Sequence, residues 1–170
     1  MKKASVLLVG LFFMIVSFQS AWAQKEMFHS IFIYNFRKYV KWPDNMNSGK
    51  FVIGVLGTSA IQKDLKAMES AKQVNGMSIE VKQFNSAAEI SDCHILYVAS
   101  SERGNIDKII SKTKSQQVLI VTGNPGLAKK GAAINFVEAE GKIKFELNQK
   151  NAEARGLKGA GSLASLAILV

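Results

Sequence analysis

The chain has 170 residues, a formal net charge of +9 and one cysteine, Cys93. That length suits one domain with one core, and a single cysteine excludes any intrachain disulfide. The basic balance fits an acidic protein face or an anionic membrane surface, and equally a charge that only keeps the domain soluble. It fits nucleic acid poorly, because the N-terminus reads as an export signal.

That signal has three parts in order. Lys2 and Lys3 supply positive charge, Val6 to Phe18 form an apolar run, and Ala21-Trp22-Ala23 place small residues where a signal peptidase reads. The run is about 13 residues, shorter than the roughly 20 of a bilayer-spanning helix. Residues 1–23 are therefore expected to be a cleavable signal peptide, with the mature chain starting at Gln24 and working in the periplasm. Cleavage leaves 147 residues, and losing Lys2 and Lys3 lowers the charge from +9 to +7. No repeat, low-complexity tract or Pro/Ser linker divides residues 24–170, so one domain is expected there.

Glu26 to Trp42 reads as a helix, with Phe28, Ile31, Phe32, Asn35, Phe36 and Tyr39 at spacings of three and four. Met27, Ile33, Tyr34 and Val40 add apolar surface on its other faces, so it needs cover on more than one side. Pro43 is expected to stop it. Phe51 to Leu56 reads as a buried strand and Ser59 to Ser70 as an amphipathic helix with Ser59 as N-cap. Gly76 marks a turn, and Ser78 to Phe84 reads as an outer strand. His94 to Ala99 is a buried strand, Asn105 to Thr113 a helix, and Val118 to Val121 another strand. A turn at Gly123-Asn124-Pro125-Gly126 precedes a short helix. Ala132 to Ala139 and Lys142 to Asn148 read as a hairpin turning at Glu140-Gly141. Gln149 to Arg155 is a short helix closed by Gly156, and Ser162 to Val170 a last apolar helix. The expected fold is α/β: a mainly parallel sheet flanked by helices on both faces, with a C-terminal antiparallel hairpin.

Catalytic signals are poor. There is no G-x-S-x-G elbow. The two histidines, His29 and His94, form no H-x-x-x-H or Cys/His cluster, so no metal, cofactor or catalytic residue is assigned. Cys93 and His94 are adjacent on an extended stretch and point to opposite faces, which separates a thiol from its would-be base. Cys93 is expected to be buried. The glycines of Gly54 to Ser59 do not have the dinucleotide-binding spacing, and those of Gly123 to Gly131, with Lys129 and Lys130, fit turn geometry.

Several strings resemble the YfiR-like family. They are Tyr34-Asn35-Phe36-Arg37-Lys38-Tyr39-Val40-Lys41-Trp42-Pro43, Phe51 to Gly57, Val74-Asn75-Gly76, Cys93 to Val98, Gly131 to Phe136, Lys144 to Asn148 and Gly156-Leu157-Lys158. They run in order over nearly all of residues 27–170. The resemblance implies a periplasmic α/β protein, usually a homodimer. The best-described member restrains an inner-membrane diguanylate cyclase by binding its periplasmic sensor domain. Release by redox stress or by an outer-membrane partner raises cyclic di-GMP. Related domains are fused ahead of signalling kinases. That member also carries disulfides, and here the chain departs from it.

Two functions follow. The first is a non-enzymatic regulator of a membrane signalling protein. Its candidate partner or dimer contacts are Phe28, Ile31, Tyr34, Phe36, Tyr39 and Trp42, because aromatic residues dominate interfaces; the same residues could equally be core. The second is a periplasmic small-ligand module. Open α/β sheets bind ligands at the carboxyl ends of their strands, here near Gly57, Thr58, Ser59, Ser100, Ser101 and Gly123.

Overall fold

The computed structural model describes residues 25–170, so the proposed signal peptide and its cleavage point lie outside the described residues. Helix α1 covers residues 25–36. It is followed by β1 (Lys50–Leu56), α2 (Ile61–Ala71), β2 (Gln73–Val74), β3 (Met77–Phe84), β4 (Ile95–Val98), α3 (Ile106–Lys112) and β5 (Leu119–Thr122). The chain then forms β6 (Ile134–Ala139), β7 (Lys142–Leu147), α4 (Gln149–Glu153) and β8 (Ile168–Leu169). Short 3-10 turns punctuate these elements, the longest at Ser100–Asn105 and Ala160–Leu166.

The strands form one sheet in the order β2-β3-β1-β4-β5-β6-β7-β8. Neighbours from β3 through β6 are parallel. Strand β7 folds back antiparallel on β6, from Ala139↔Lys142 to Ile134↔Leu147. The fold is therefore the mainly parallel α/β sheet with the C-terminal hairpin that the patterning implied. The hairpin turns where expected: Glu140 and Gly141 lie at φ 55° and 69°, the positive pair a two-residue loop needs to match strand twist. Strand β3 is nearly an outer strand, since only the two-residue β2 lies beyond it.

Alternation along the central strands builds two cores. Phe51, Ile53, Val55, Ile95, Tyr97, Leu119 and Val121 meet α1, α2 and the C-terminal segment on one face. Leu56, Cys93, Leu96, Val98 and Ile120 meet α3 and the turns around Ile90 and Leu127 on the other. Strands covered on both faces read as continuous apolar runs, and all four residues of β4 and of β5 are buried.

Three local expectations are corrected. Helix α1 ends at residue 36, well before Pro43. After a turn at residues 37–39 the chain is extended: Val40 and Trp42 point into the core, while Lys41 exchanges both backbone bonds with Lys158, at 2.8 and 3.0 Å. Period-two burial plus a bridging partner outweighs helical propensity there. Residues 162–170 are not one continuous helix: 162–166 finish the 3-10 turn that starts at Ala160. After the 3-10 turn, Ile168 and Leu169 pair with Glu146 and Leu147 as β8, because β7 otherwise leaves an open edge and β-branched or apolar residues suit a strand. Ser59 acts at the start of α2 as expected: Ala60 is already helical at φ −64° and ψ −20°, and the Ser59 hydroxyl accepts from the Ile61 N–H at 3.4 Å while donating to Glu26 Oε2 at 2.6 Å. The remaining helices are shorter than read, with α3 starting after a 3-10 turn and the segment after Gly126 being 3-10 throughout.

His94 ties the amino edge of the sheet together. Its Nδ1 accepts from the Val52 N–H at 3.0 Å, its Nε2 donates to the Met46 carbonyl at 2.8 Å, and its own carbonyl accepts from Trp42 Nε1 at 3.0 Å. The ring stacks on Phe51 at 4.4 Å. Cys93 is buried and free, in the core on the opposite face.

Candidate functional site at the first helix

Helix α1 lies across the first face of the sheet, and its buried stripe is His29, Ser30, Ile33 and Phe36. The stripe expected from spacing, Phe28, Ile31, Phe32, Asn35, Phe36 and Tyr39, shares only Phe36 with it. Two polar residues conceal the true inner face. Ser30 satisfies its hydroxyl locally by donating to the Met27 carbonyl at 2.7 Å. His29 stacks flat on Phe136, with ring centres 4.1 Å apart and planes 5° from parallel. It is 2% exposed, and neither ring nitrogen has a partner. Burial, with Lys25 nearby, lowers its pKa to about 4.

The expected interface residues divide into three groups. Phe28 and Ile31 are each 40% exposed, beside Met27 at 42%. Phe36 and Trp42 are core. Tyr34 and Tyr39 are partly buried against that core. Tyr34 faces the β2 side of the sheet, where its hydroxyl donates to the Gln73 carbonyl at 3.3 Å and the Arg37 guanidinium lies 4.2 Å over its ring.

The other flank of α1 opens into a groove of about 580 Å3 against the β6–β7 hairpin. Phe28, Phe32 and Ile143 form its apolar floor, and Lys25, Lys142 and Glu138 its rim. Phe32 also lines a smaller depression of about 250 Å3, which runs on past Phe145 to Leu163 and Leu166. Leu166, Ile168, Leu169 and Val170 are exposed beyond it. Exposed apolar residues scattered singly need no explanation, but a contiguous apolar tract with a polar rim marks an interaction surface.

The carboxyl edge of the sheet carries the residues expected for a small ligand. Strand β1 pairs with β3 on one side and β4 on the other, so the loops after β1 and β4 diverge where such folds bind ligands. The crevice is closely packed beside Gly57. A Cβ on Gly57 would lie 2.6 Å from Ser101 Oγ and 2.7 Å from Glu102 Cγ. Ser59 is engaged by Glu26, and the space beside Gly123 is taken by His29 and by the Tyr97 hydroxyl. Thr58 and Ser100 are exposed at the rim. The first turns of α1 thus occupy the edge. Sequence reasoning missed Glu26, His29 and Tyr97 as a cluster there. The available signal was His29 lying four residues before Ile33 and seven before Phe36.

Among the described residues no group of three or more His, Cys, Asp or Glu side chains is placed to hold a metal ion. None of the helices described is long and apolar enough to cross a membrane.

The sequence matches the model of the YfiR/HmsC-like family over residues 27–168. The chain belongs to that family. At family level, membership supports a periplasmic regulator of diguanylate cyclase signalling rather than an enzyme. No curated protein matches the chain. Among solved structures, this YfiR/HmsC-like chain is similar to an ABC domain in complex with L-Trp from Streptococcus pneumoniae, with a TM-score of 0.51 and 14% identity. The match covers 70% of this chain and 55% of the other, so the chain spans about half the length of that relative and shares its fold alone.

Proposed function

We propose that this protein is a non-enzymatic regulator that represses or modulates an inner-membrane signalling protein, a diguanylate cyclase or a kinase, by binding its periplasmic sensor domain. It acts as a homodimer built partly on α1, after cleavage of residues 1–23. The observation that carries this reading is the outward apolar tract Met27, Phe28 and Ile31 beside the groove floored by Phe28, Phe32 and Ile143. Covering three side chains that are each about 40% exposed would contribute on the order of 1 kcal/mol apiece. A few kcal/mol of preference for one state of the partner suffices to move its on/off balance. Lys25 and Lys142 on the rim suit an acidic partner face.

The test is Ile31→Glu. Ile31 packs outward, so the variant should keep the circular dichroism of the wild type. It should lose repression of cellular cyclic di-GMP, or of the kinase output, in a strain lacking the wild-type gene. Light scattering on the same samples reads the dimer. A folded variant that represses fully would overturn the assignment of the surface, and a wild type monomeric at micromolar concentration would overturn the dimer.

A further inference from the structure

We propose that His29 makes the docking of α1 pH-sensitive: the neutral ring seats the first turns of the helix on the sheet, and protonation lifts them off, moving Met27, Phe28 and Ile31 with them. The seat is unusual for its lack of partners. A 98% buried imidazole normally hydrogen-bonds through at least one nitrogen, and His29 bonds through neither. What holds it is the flat stack on Phe136. An uncharged ring accepts that environment. An imidazolium, with two N–H donors and a full charge, does not.

The groups around the ring give no compensation. On α1 itself, Lys25 lies one turn away and repels a second positive charge. Glu26, also on α1, is turned to the Ser59 hydroxyl at 2.6 Å. Strand β4 presents the Tyr97 hydroxyl, which together with His29 Cε1 approaches the backbone at Gly123 after β5. Burial holds that phenol neutral at any relevant pH. Strand β6 presents Phe136, and its carboxylate at Glu138 pairs outward with Lys25 at 4.0 Å. No carboxylate bonds the ring, so acidification works against the seat.

The sign follows from linkage. The ring's value is about 4 when seated against 6.5 when free. The neutral ring's contribution is complete above about pH 6.5 and is lost as pH falls towards 4. The equilibrium for unseating should therefore be about 30-fold larger at pH 5 than at pH 7.5. The seat is a property of this chain alone. Its consequence for a partner rests on the function proposed above.

The experiment is amide exchange of residues 26–36 in the exported protein, expressed as protection factors between about pH 7.5 and 5, with an NMR titration of the two histidines. Protection in α1 should fall about 30-fold in the wild type, while the amides of β1 and β4 keep more of theirs. His29→Phe keeps the stack on Phe136 but cannot charge, and should abolish that fall. Equal falls in both proteins would overturn the proposal. If His29→Phe does not fold, the wild-type titration decides. A His29 signal titrating well below 6.5 as the α1 amides shift supports the seat, and one titrating near 6.5 with α1 still protected refutes it. None of these readouts requires the signalling partner, so failure here is distinct from failure of the regulatory reading.

Discussion

Replacing Gly159 by alanine should loosen the join between α1 and the C-terminal segment. Gly159 has φ 78°, and a Cβ built there would lie 2.5 Å from the Tyr39 carbonyl oxygen. That neighbour is backbone, so no rotamer change relieves the overlap. Next to it, Lys41 and Lys158 exchange the two bonds that anchor the chain leaving α1. The positive φ alone costs a side-chain-bearing residue about 1–2 kcal/mol. Forcing the two segments apart adds about 1–3 kcal/mol, and weakening the two bridge bonds about 1 kcal/mol. The expected loss is about 3–6 kcal/mol, a large part of a typical domain's 5–15 kcal/mol. Gly49 is the control: it has φ 80° with no atom within 4 Å of the built Cβ, so Gly49→Ala should cost only about 1–2 kcal/mol. Urea unfolding of the two variants separates backbone conformation from close approach, and the melting temperatures should differ by about 10 °C. Equal destabilisation would refute the overlap argument.

Three further outcomes are expected. Ile33→Ala, at a position 0% exposed, should cost about 3 kcal/mol in urea unfolding, while Ile31→Ala should cost under about 1 kcal/mol. His94→Ala should cost about 2–4 kcal/mol by leaving the Val52 N–H and the Met46 carbonyl unpaired. Because burial lowers the His94 pKa below its usual 6.5, the wild type should lose stability as pH falls below about 6.5, and the variant should lose less between pH 7.5 and 5. Burial pushes the Cys93 thiol up to about 12, so it should resist a maleimide at pH 8 in the native state, and dithiothreitol should leave the melting temperature unchanged. The sign for Cys93 is opposite to that for His94: the protonated thiol's contribution is complete below about pH 9 and fades as pH rises towards 12.

Much of this protein is decided by local chemistry that a linear reading captures. Apolar runs such as Ile95 to Val98 and Leu119 to Thr122 are strands because they are short, β-rich and covered on both faces. Glu140-Gly141 is a turn because alternation changes phase there. Cys93 and His94 face apart because neighbours on an extended chain must. Tertiary structure decided the rest. That the chain ends in a strand at Ile168 and Leu169 instead of continuing a helix depended on the open edge of β7, which lies far away in sequence. Where α1 ended depended on Lys158 bridging Lys41. The buried face of α1 was hidden because His29 and Ser30 look polar, and only contact with Phe136 and a local bond to Met27 makes them inner residues. The candidate surface followed from the same fact: once His29 and Ile33 turn inward, helical geometry turns Phe28 and Ile31 outward.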